Sequence, residues 1–209
     1  NLNTVLKENS ALGGDDPYSA SKACQEIISH SYFNSYFKNK TSFITLRAGN
    51  IIGGGDWSEN RIIPDIIKAK FHKKKLKVRN QFHIRPWQHI IDVCRAIDLI
   101  LKRKINNKNL HSYNIGIVKN KNYSVKDILI FFENYFGKIN KTYSKKSFKE
   151  KKYLSISSKK ILYELRFKNL ISFDIANQLT CEWYNNYYRK SDMIKFTKNQ
   201  ISKYFKRKN

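Results

Sequence analysis

The chain has 209 residues and a formal net charge of +25, and 41% of its residues are hydrophobic and 14% aromatic. This apolar content excludes a disordered chain, and the small numbers of glycine and proline exclude collagen-like and low-complexity sequences. No apolar run approaches the roughly 20 residues of a membrane-spanning helix, so we expect no integral membrane association.

Amphipathic helical segments alternate along the chain with short segments rich in β-branched and aromatic residues. Predicted helices cover residues 17–39, 61–72, 90–104, 125–136, 157–165 and 172–190. Predicted strands cover residues 42–48, 76–79 and 112–115, and residues 49–60 form a glycine-rich loop. This alternation predicts an α/β fold with parallel strand pairing.

Helical spacing also predicts which side chains face the core. On the first helix the expected inward side chains are Ala20, Cys24, Ile27 or Ile28, and Tyr32. On helix 90–104 the expected stripe consists of Ile90, Cys94, Ile97 and Leu101. The three cysteines are far apart and are predicted to be reduced core residues, which indicates a cytoplasmic protein. The five histidines lack metal-ligand spacing, so no metal site is predicted.

The basic charge raises the question of nucleic-acid binding. Lysine greatly outnumbers arginine, and asparagine and isoleucine are abundant. These residues share AT-rich codons, so a biased genome is a sufficient explanation. Most of the excess charge falls after residue 100, and the chain has no recognised nucleic-acid motif, so we predict no nucleic-acid partner. The alternative is a basic surface-binding protein whose affinity for polyanions falls steeply with salt.

The first chemical motif is PYSASK, in which Tyr18 and Lys22 lie four residues apart. On a helix this spacing places both side chains on one face. A nearby ammonium group stabilises a phenolate, so such a tyrosine can take a proton from a sugar hydroxyl while a hydride leaves the same carbon. The same spacing after Tyr36 and Tyr204 is predicted to form plain surface pairs, because only Tyr18 lies between a Gly-Gly-Asp-Asp loop and a buried strand.

The second motif reads RAGNIIGGGDW over residues 47–57. Glycines at the carboxyl end of a parallel strand allow a ligand to approach the backbone closely. Asn50, Asp56 and Trp57 within this motif argue against a loop that is merely flexible.

The third motif reads IRPWQH over residues 84–89. Arg85 beside Trp87 on a rigid proline turn suits a phosphate together with a base or sugar face. A surface arginine next to a core tryptophan is the open alternative.

Taken in order, PYSASK, RAGNIIGGGDW, RIIPDIIKA and IRPWQHIIDV resemble the CDP-glucose 4,6-dehydratases, a family of extended short-chain dehydrogenase/reductases. The resemblance implies that residues 1–60 are the carboxyl-terminal part of a Rossmann-type parallel sheet. Residues 61–190 would form mainly a smaller sugar-nucleotide-binding domain, with returning Rossmann elements. It also implies bound NAD, the substrate CDP-glucose, loss of water during the reaction, and a homodimer formed through the first helix.

The resemblance assigns roles to the residues that match the family's motifs. Tyr18 would be the base at the sugar 4-hydroxyl, and Lys22 would hold the nicotinamide ribose. Asn50, Arg61 and Arg85 would contact the sugar nucleotide, with Arg85 at the diphosphate. The side chains that shape the pocket would be Asp56, Trp57 and Trp87.

Two features of that family are not found in these 209 residues. The sequence has no G-x-x-G-x-x-G or G-x-G-x-x-G phosphate turn, and the family's acid–base segment for elimination would lie upstream of the first helix. We therefore expect a carboxyl-terminal fragment that is inactive alone. The alternatives are another extended reductase acting on a nucleotide sugar, such as an epimerase or decarboxylase, and a non-catalytic remnant.

Residues 191–209 form a basic tail. Along one rough helical face of this tail lie Met193, Ile194, Ile201, Tyr204 and Phe205. We expect a frayed terminal helix whose removal leaves activity and thermal stability almost unchanged. Weak docking on an anionic membrane surface is the alternative.

Overall fold

The computed structural model describes residues 4–103, 105, 108–117, 123–144 and 151–205. The helices are α1 Pro17–Tyr32, α2 Ile62–Phe71, α3 Ile90–Lys102, α4 Val125–Phe136, α5 Lys159–Leu165, α6 Phe173–Tyr188 and α7 Met193–Phe205. The strands are β1 Val5–Leu6, β2 Phe43–Ala48, β3 Asn50–Ile52, β4 Leu76–Val78, β5 Ile84–Arg85, β6 Trp87–His89, β7 Leu110–Ile115, β8 Tyr123–Ser124, β9 Lys141–Tyr143 and β10 Ser155–Ile156. A π-helical turn, Phe33–Phe37, extends α1.

Strand pairing among these elements is mostly parallel. The parallel pairs are β1 with β10, β2 with β7, β3 with β6, and β4 with β9, whereas β5 and β8 are antiparallel. The longest pair aligns Phe43 with Leu110 and Ala48 with Ile115. The predicted α/β architecture with parallel pairing is therefore confirmed.

Local capping explains where the helices begin and end. The Asp16 side chain accepts a hydrogen bond from the Ser19 amide at 2.9 Å, and Pro17 follows it at the start of α1. Ser124 and Asp127 form a capping box at the start of α4. Gly137 ends that helix with a φ of 80°, a conformation that glycine adopts without steric strain. These boundaries agree with the prediction.

Two apolar clusters form the core. The larger joins α2, α4, α6 and α7, with Ile66, Phe132 and Tyr184 fully buried. The smaller lies between α3, α5 and β7, where Ala96 and Ile115 are fully buried. Helix α3 contributes to both clusters, because Ile91 packs in the larger one. α3 therefore connects the β2–β7 pair to the helical part of the molecule.

The predicted inward faces of α1 and α3 are wrong. Helix α1 has no buried residue, and Tyr32 is 55% exposed. On α3 the exposed side chains are Ile90, Cys94, Ile97 and Leu101. The opposite face, with Ile91, Ala96 and Ile100, is the buried one. Of the three cysteines, Cys24 and Cys94 are exposed and Cys181 is buried, so only one is a core residue.

Helix α7 contradicts the expectation of a frayed tail. Tyr204 is 6% exposed and belongs to the larger core cluster. Gln200 donates a hydrogen bond to the Leu179 carbonyl oxygen of α6 at 3.0 Å. Of the apolar face predicted for the tail, Tyr204 and Phe205 pack against the core, whereas Ile194 and Ile201 are exposed, so that face is only partly correct. Within the described ranges, no helix has the length and apolar character needed to cross a bilayer.

Candidate active site

A cleft of about 700 Å³ lies at the carboxyl ends of β2 and β3, between the start of α1 and the start of α2. Tyr18 lies at its edge, residues 48–53 form one wall, and Trp87 and Ile156 contribute apolar surface. The cleft therefore collects most of the residues that the three sequence motifs singled out.

Tyr18 is 62% exposed and presents its ring to the cleft. The Asp16 cap fixes the start of α1, and the Lys22 ammonium lies 5.7 Å from the centre of the Tyr18 ring. Lys22 itself does not line the cleft and donates a hydrogen bond to Gln25 Oε1 at 3.2 Å. The predicted sharing of one helix face is confirmed, and the phenol is open to a ligand.

The second and third motifs form one wall because β3 and β6 pair in parallel. Asn50 is opposite Trp87 in this register. Gly49 lies directly against Pro86, so that a β-carbon on Gly49 would come within 2.5 Å of the Pro86 carbonyl oxygen. Asn50 is half-buried and lines the cleft, as the motif predicted. This wall is a paired strand in close contact with its neighbour, and not a loop that merely lacks side chains.

Among the residues that the structure describes, four lysine or arginine side chains line the cleft, against two carboxylates. Arg85 is half-buried, and its Nη1 donates to the carbonyl oxygens of Ile84 at 2.9 Å and Lys151 at 2.8 Å. Arg61, at the start of α2, is exposed. Lys77 and Arg79, from the end of β4, line the same cleft. Such a surface favours an anionic ligand, and diphosphate is the group that arginines bind well.

Sequence reasoning missed the contribution of β4. Lys77 and Arg79 lie on the same side of a strand on which Leu76 and Val78 are buried. Their alternation with buried residues was a usable signal for one polar face. The position of that face next to Arg85 depends on tertiary packing, which the pattern does not encode.

Two carboxylates lie among these cations. Asp56 accepts a hydrogen bond from the Ser58 amide at 2.9 Å, and its main-chain oxygen accepts one from the Tyr184 hydroxyl at 2.6 Å. Burial raises the pKa of Asp65 above its usual range, although Lys68 and Arg79 oppose the shift. Asp65 was not predicted as a site residue.

The two tryptophans have different positions. Trp87 is 4% exposed and donates its indole N–H to the Tyr123 carbonyl oxygen at 3.2 Å, so it is a core residue with one face on the cleft. Trp57 does not line the cleft. It lies in a separate hollow against Tyr187 and Tyr188, with a ring-centre distance of 4.9 Å to Tyr187. Its placement therefore gives no support to the prediction that it shapes the substrate pocket.

With this geometry established, comparison with known proteins identifies the family. The family model described as GDP-mannose 4,6 dehydratase matches residues 2–177. The chain belongs to this family. A CDP-glucose 4,6-dehydratase from Salmonella typhimurium is 38% identical over 103 residues, which are 46% of this chain and 29% of the relative. A dTDP-D-glucose 4,6-dehydratase from Dictyostelium discoideum is 36% identical over 117 residues, 55% of this chain and 25% of the relative.

Solved structures show the same fold. A dTDP-glucose 4,6-dehydratase from Bacillus anthracis in complex with NAD has a TM-score of 0.74 and 24% identity, covering 90% of this chain and 58% of that protein. A UDP-glucose-4-epimerase from Stenotrophomonas maltophila with bound NAD has a TM-score of 0.75 and 16% identity, covering 89% and 60%. This chain thus spans less than two thirds of the length of each of these four proteins.

Proposed function

We propose that the protein converts CDP-glucose to CDP-4-dehydro-6-deoxyglucose with loss of water, using NAD, as a nucleotide-sugar 4,6-dehydratase. The observation that carries this proposal is that Tyr18 is exposed at a cleft that Arg85, Arg79 and Lys77 also line. A sugar diphosphate placed with its phosphates on the cations can bring a sugar hydroxyl to the phenol.

Proton transfer is the task of Tyr18 in this proposal. Its phenolate takes the proton of the sugar 4-hydroxyl, and the ammonium of Lys22, 5.7 Å from the ring centre, stabilises the negative charge. Exposure of the phenol in the free protein is consistent with this role, because a bound substrate would cover it.

The residues present fit one end of NAD. Lys22 carries three donors on the open side of α1, suited to ribose hydroxyls beside Tyr18. The sequence has no glycine-rich phosphate turn for the pyrophosphate. When bound, NAD supplies the acceptor for the hydride that leaves the sugar carbon. Positioning of the substrate then depends on Asn50 and Arg85.

Arg85 is the proposed diphosphate ligand. Two carbonyl bonds hold its Nη1, and Nη2 donates to His83 Nδ1 at 3.2 Å, so the guanidinium is oriented before a ligand arrives. A guanidinium that is already ordered loses less side-chain entropy on binding. Arg61 and Arg79 extend the positive surface, and Arg79 donates to the Asn60 carbonyl oxygen at 2.8 Å.

The cytidine nucleotide is the finer part of the proposal. It is supported by the GGGDW and RPWQH segments and by the 38% identical relative named for CDP-glucose. The alternative is another extended reductase acting on a nucleotide sugar, such as an epimerase or decarboxylase; a dehydratase and an epimerase match the fold with nearly equal TM-scores.

One experiment separates these activities. The full-length protein is incubated with NAD and, separately, CDP-glucose, dTDP-glucose, UDP-glucose and GDP-mannose, and the products are analysed by mass spectrometry. We expect loss of one water from CDP-glucose in preference to the others. A chromatographically distinct product of unchanged mass would indicate an epimerase, and no conversion of any of the four would contradict the proposal.

The proposal includes a homodimer formed through α1. Ile27, Ile28 and Tyr32 are each more than half exposed on this helix. Together they form an apolar patch that a second subunit would cover. Sedimentation velocity of the full-length protein at micromolar concentration should show a dimer, and Ile28→Glu should shift it to the monomer. A wild-type monomer would contradict this part.

A further inference from the structure

The segment Gly53–Trp57, here called the GGGDW loop, is held from outside the cleft by the last two helices. Tyr184 of α6 is fully buried and donates its hydroxyl hydrogen to the Asp56 carbonyl oxygen at 2.6 Å. Because Asp56 lines the cleft, this hydrogen bond joins the interior of α6 directly to the wall of the candidate site.

A second contact explains the run of glycines. The Trp183 side chain fills the space above Gly54, where a β-carbon would lie only 2.0 Å from the Trp183 Cγ. Gly55 has a φ of 85°, and a β-carbon there would lie 3.4 Å from the same indole. The loop can pass this close to α6 because it carries no side chains at these two positions.

The far end of the loop is also fixed. The Trp57 ring packs edge-on against Tyr184 with ring centres 5.3 Å apart. Lys68 of α2 donates a hydrogen bond from Nζ to the Trp57 carbonyl oxygen at 3.2 Å. These contacts explain why the loop contains a tryptophan although Trp57 does not line the cleft.

Helix α7 holds Trp183 in turn. The Trp183 indole N–H donates to Thr197 Oγ1 at 2.9 Å, and Gln200 bonds to the Leu179 carbonyl oxygen. Buried Tyr204 anchors the end of α7 in the larger core cluster. The family match ends at residue 177, so these contacts to the loop come from the part of the chain that follows it.

We propose that α6 and α7 act as a brace that fixes the GGGDW loop and thereby the position of Asp56 in the cleft. Tyr184 and Trp183 are positioning residues, which act through the loop and do not touch the ligand. The anchoring stands on geometry alone, whereas its effect on ligand affinity rests on the proposed function.

The test compares two buried tyrosines whose hydroxyl groups donate to different partners. Tyr184→Phe removes the bond to Asp56. The matched control is Tyr113→Phe, because Tyr113 is 1% exposed and donates to Glu164 at 2.7 Å, away from the loop. A third variant, Thr197→Val, removes the hydrogen-bond acceptor of the Trp183 indole on α7. Hydrogen–deuterium exchange and calorimetric titration with CDP-glucose are measured on the full-length proteins.

Tyr184→Phe should speed amide exchange in residues 54–58 about ten-fold and raise the Kd for CDP-glucose by a similar factor. Thr197→Val should do the same to a smaller extent. Tyr113→Phe should change neither reading, although it too loses a buried hydrogen bond.

Unchanged loop exchange in Tyr184→Phe and Thr197→Val would overturn the brace, whatever the protein binds. Faster exchange with an unchanged Kd would overturn its role in affinity. If the wild-type protein binds none of the four nucleotide sugars, the proposed function fails, and the exchange data still decide whether the brace exists.

Discussion

Asp92 and Arg95 lie one turn apart on α3 and form a buried ion pair, with Arg95 Nη1 2.8 Å from Asp92 Oδ1. The Arg95 side chain is 5% exposed and the Asp92 side chain 1%. The Asp92 carboxylate also accepts hydrogen bonds from the Leu170 amide at 3.2 Å and the Ile171 amide at 3.1 Å. Arg95 donates to the Lys168 carbonyl oxygen at 3.3 Å. The pair thus fastens the segment before α6 onto α3.

Removing one member leaves the other charge buried without its partner. Asp92→Ala should therefore lower the free energy of unfolding by about 3–5 kcal/mol. The control is Asp98→Ala on the same helix, whose pair with Lys102 is solvent-exposed and should contribute less than about 1 kcal/mol. Urea unfolding of both variants measures the difference, and similar losses would contradict the structural role of Asp92.

Tyr18→Phe in the full-length protein should reduce turnover of the nucleotide sugar by about 10²–10⁴-fold while its binding changes little. Phenylalanine has no oxygen to accept the proton of the sugar hydroxyl, but its ring still lines the cleft. Tyr36→Phe, at the second site with the same spacing to a lysine, should be silent. Wild-type turnover by Tyr18→Phe would remove this residue from the chemistry.

Arg85→Ala should mainly raise the KM for the nucleotide sugar, because a contact to the diphosphate is present in ground and transition states alike. Arg85→Lys should be intermediate, since it keeps the charge and loses the planar fork. Arg103→Ala, at the exposed end of α3, is the charge-matched control. An unchanged calorimetric affinity in Arg85→Ala would place the phosphates elsewhere.

His89 predicts a pH dependence of stability. It is 2% exposed, and burial lowers its pKa from 6.5 to about 4. Between those pH values the unfolded chain binds a proton that the native protein does not bind. The free energy of unfolding should therefore fall as pH drops through this window, by up to about 3 kcal/mol. Above pH 6.5 the contribution of His89 to stability is complete.

His89→Asn isolates this effect. Asparagine can still accept the Ile91 amide hydrogen bond at the start of α3, as His89 Nδ1 does at 3.3 Å, and it does not titrate. The variant should lose most of the slope between pH 4 and 6.5. Partial burial, and next Lys160, also lower the pKa of His111, so His111→Asn in addition should reduce the slope further. A slope equal to that of the wild type would contradict the assignment.

Helix α7 should matter for stability. Tyr204→Ala removes a side chain from the larger core cluster and should lower the free energy of unfolding by about 3 kcal/mol. Ile194→Ala on the opposite, 71% exposed position should change it by less than about 0.5 kcal/mol. Equal thermal stability of Tyr204→Ala and the wild type would restore the expectation of a dispensable tail.

The sequence predicted the positions of the helices along the chain better than it predicted which helix face is buried. Helix α4 begins after Ser124 and ends before Gly137 as expected, because capping is decided by neighbouring residues. Helix α3 is apolar on more than one side, so its periodicity offers two candidate stripes. Which stripe is buried depends on the position of β7 and α5, which the local pattern does not contain.

The candidate site was likewise predictable only in part. Tyr18, Asn50 and Arg85 share one cleft because their motifs sit at strand ends and at a helix start. Lys77 and Arg79 carry no motif, and their role follows from the packing of β4. Trp57 lies outside the cleft because its aromatic partners come from α6, more than a hundred residues later in the sequence.

Gly49 packs directly against Pro86 just before β3 and β6 pair, from Asn50 with Trp87 to Ile52 with His89. The two segments are distant along the chain but form a single physical unit. A larger residue at position 49 would clash with the main-chain carbonyl oxygen of residue 86, so a change of side chain at position 86 could not make room for it. The requirement for glycine at position 49 therefore comes chiefly from the main chain of the segment beside it, and not from the identity of its side chains.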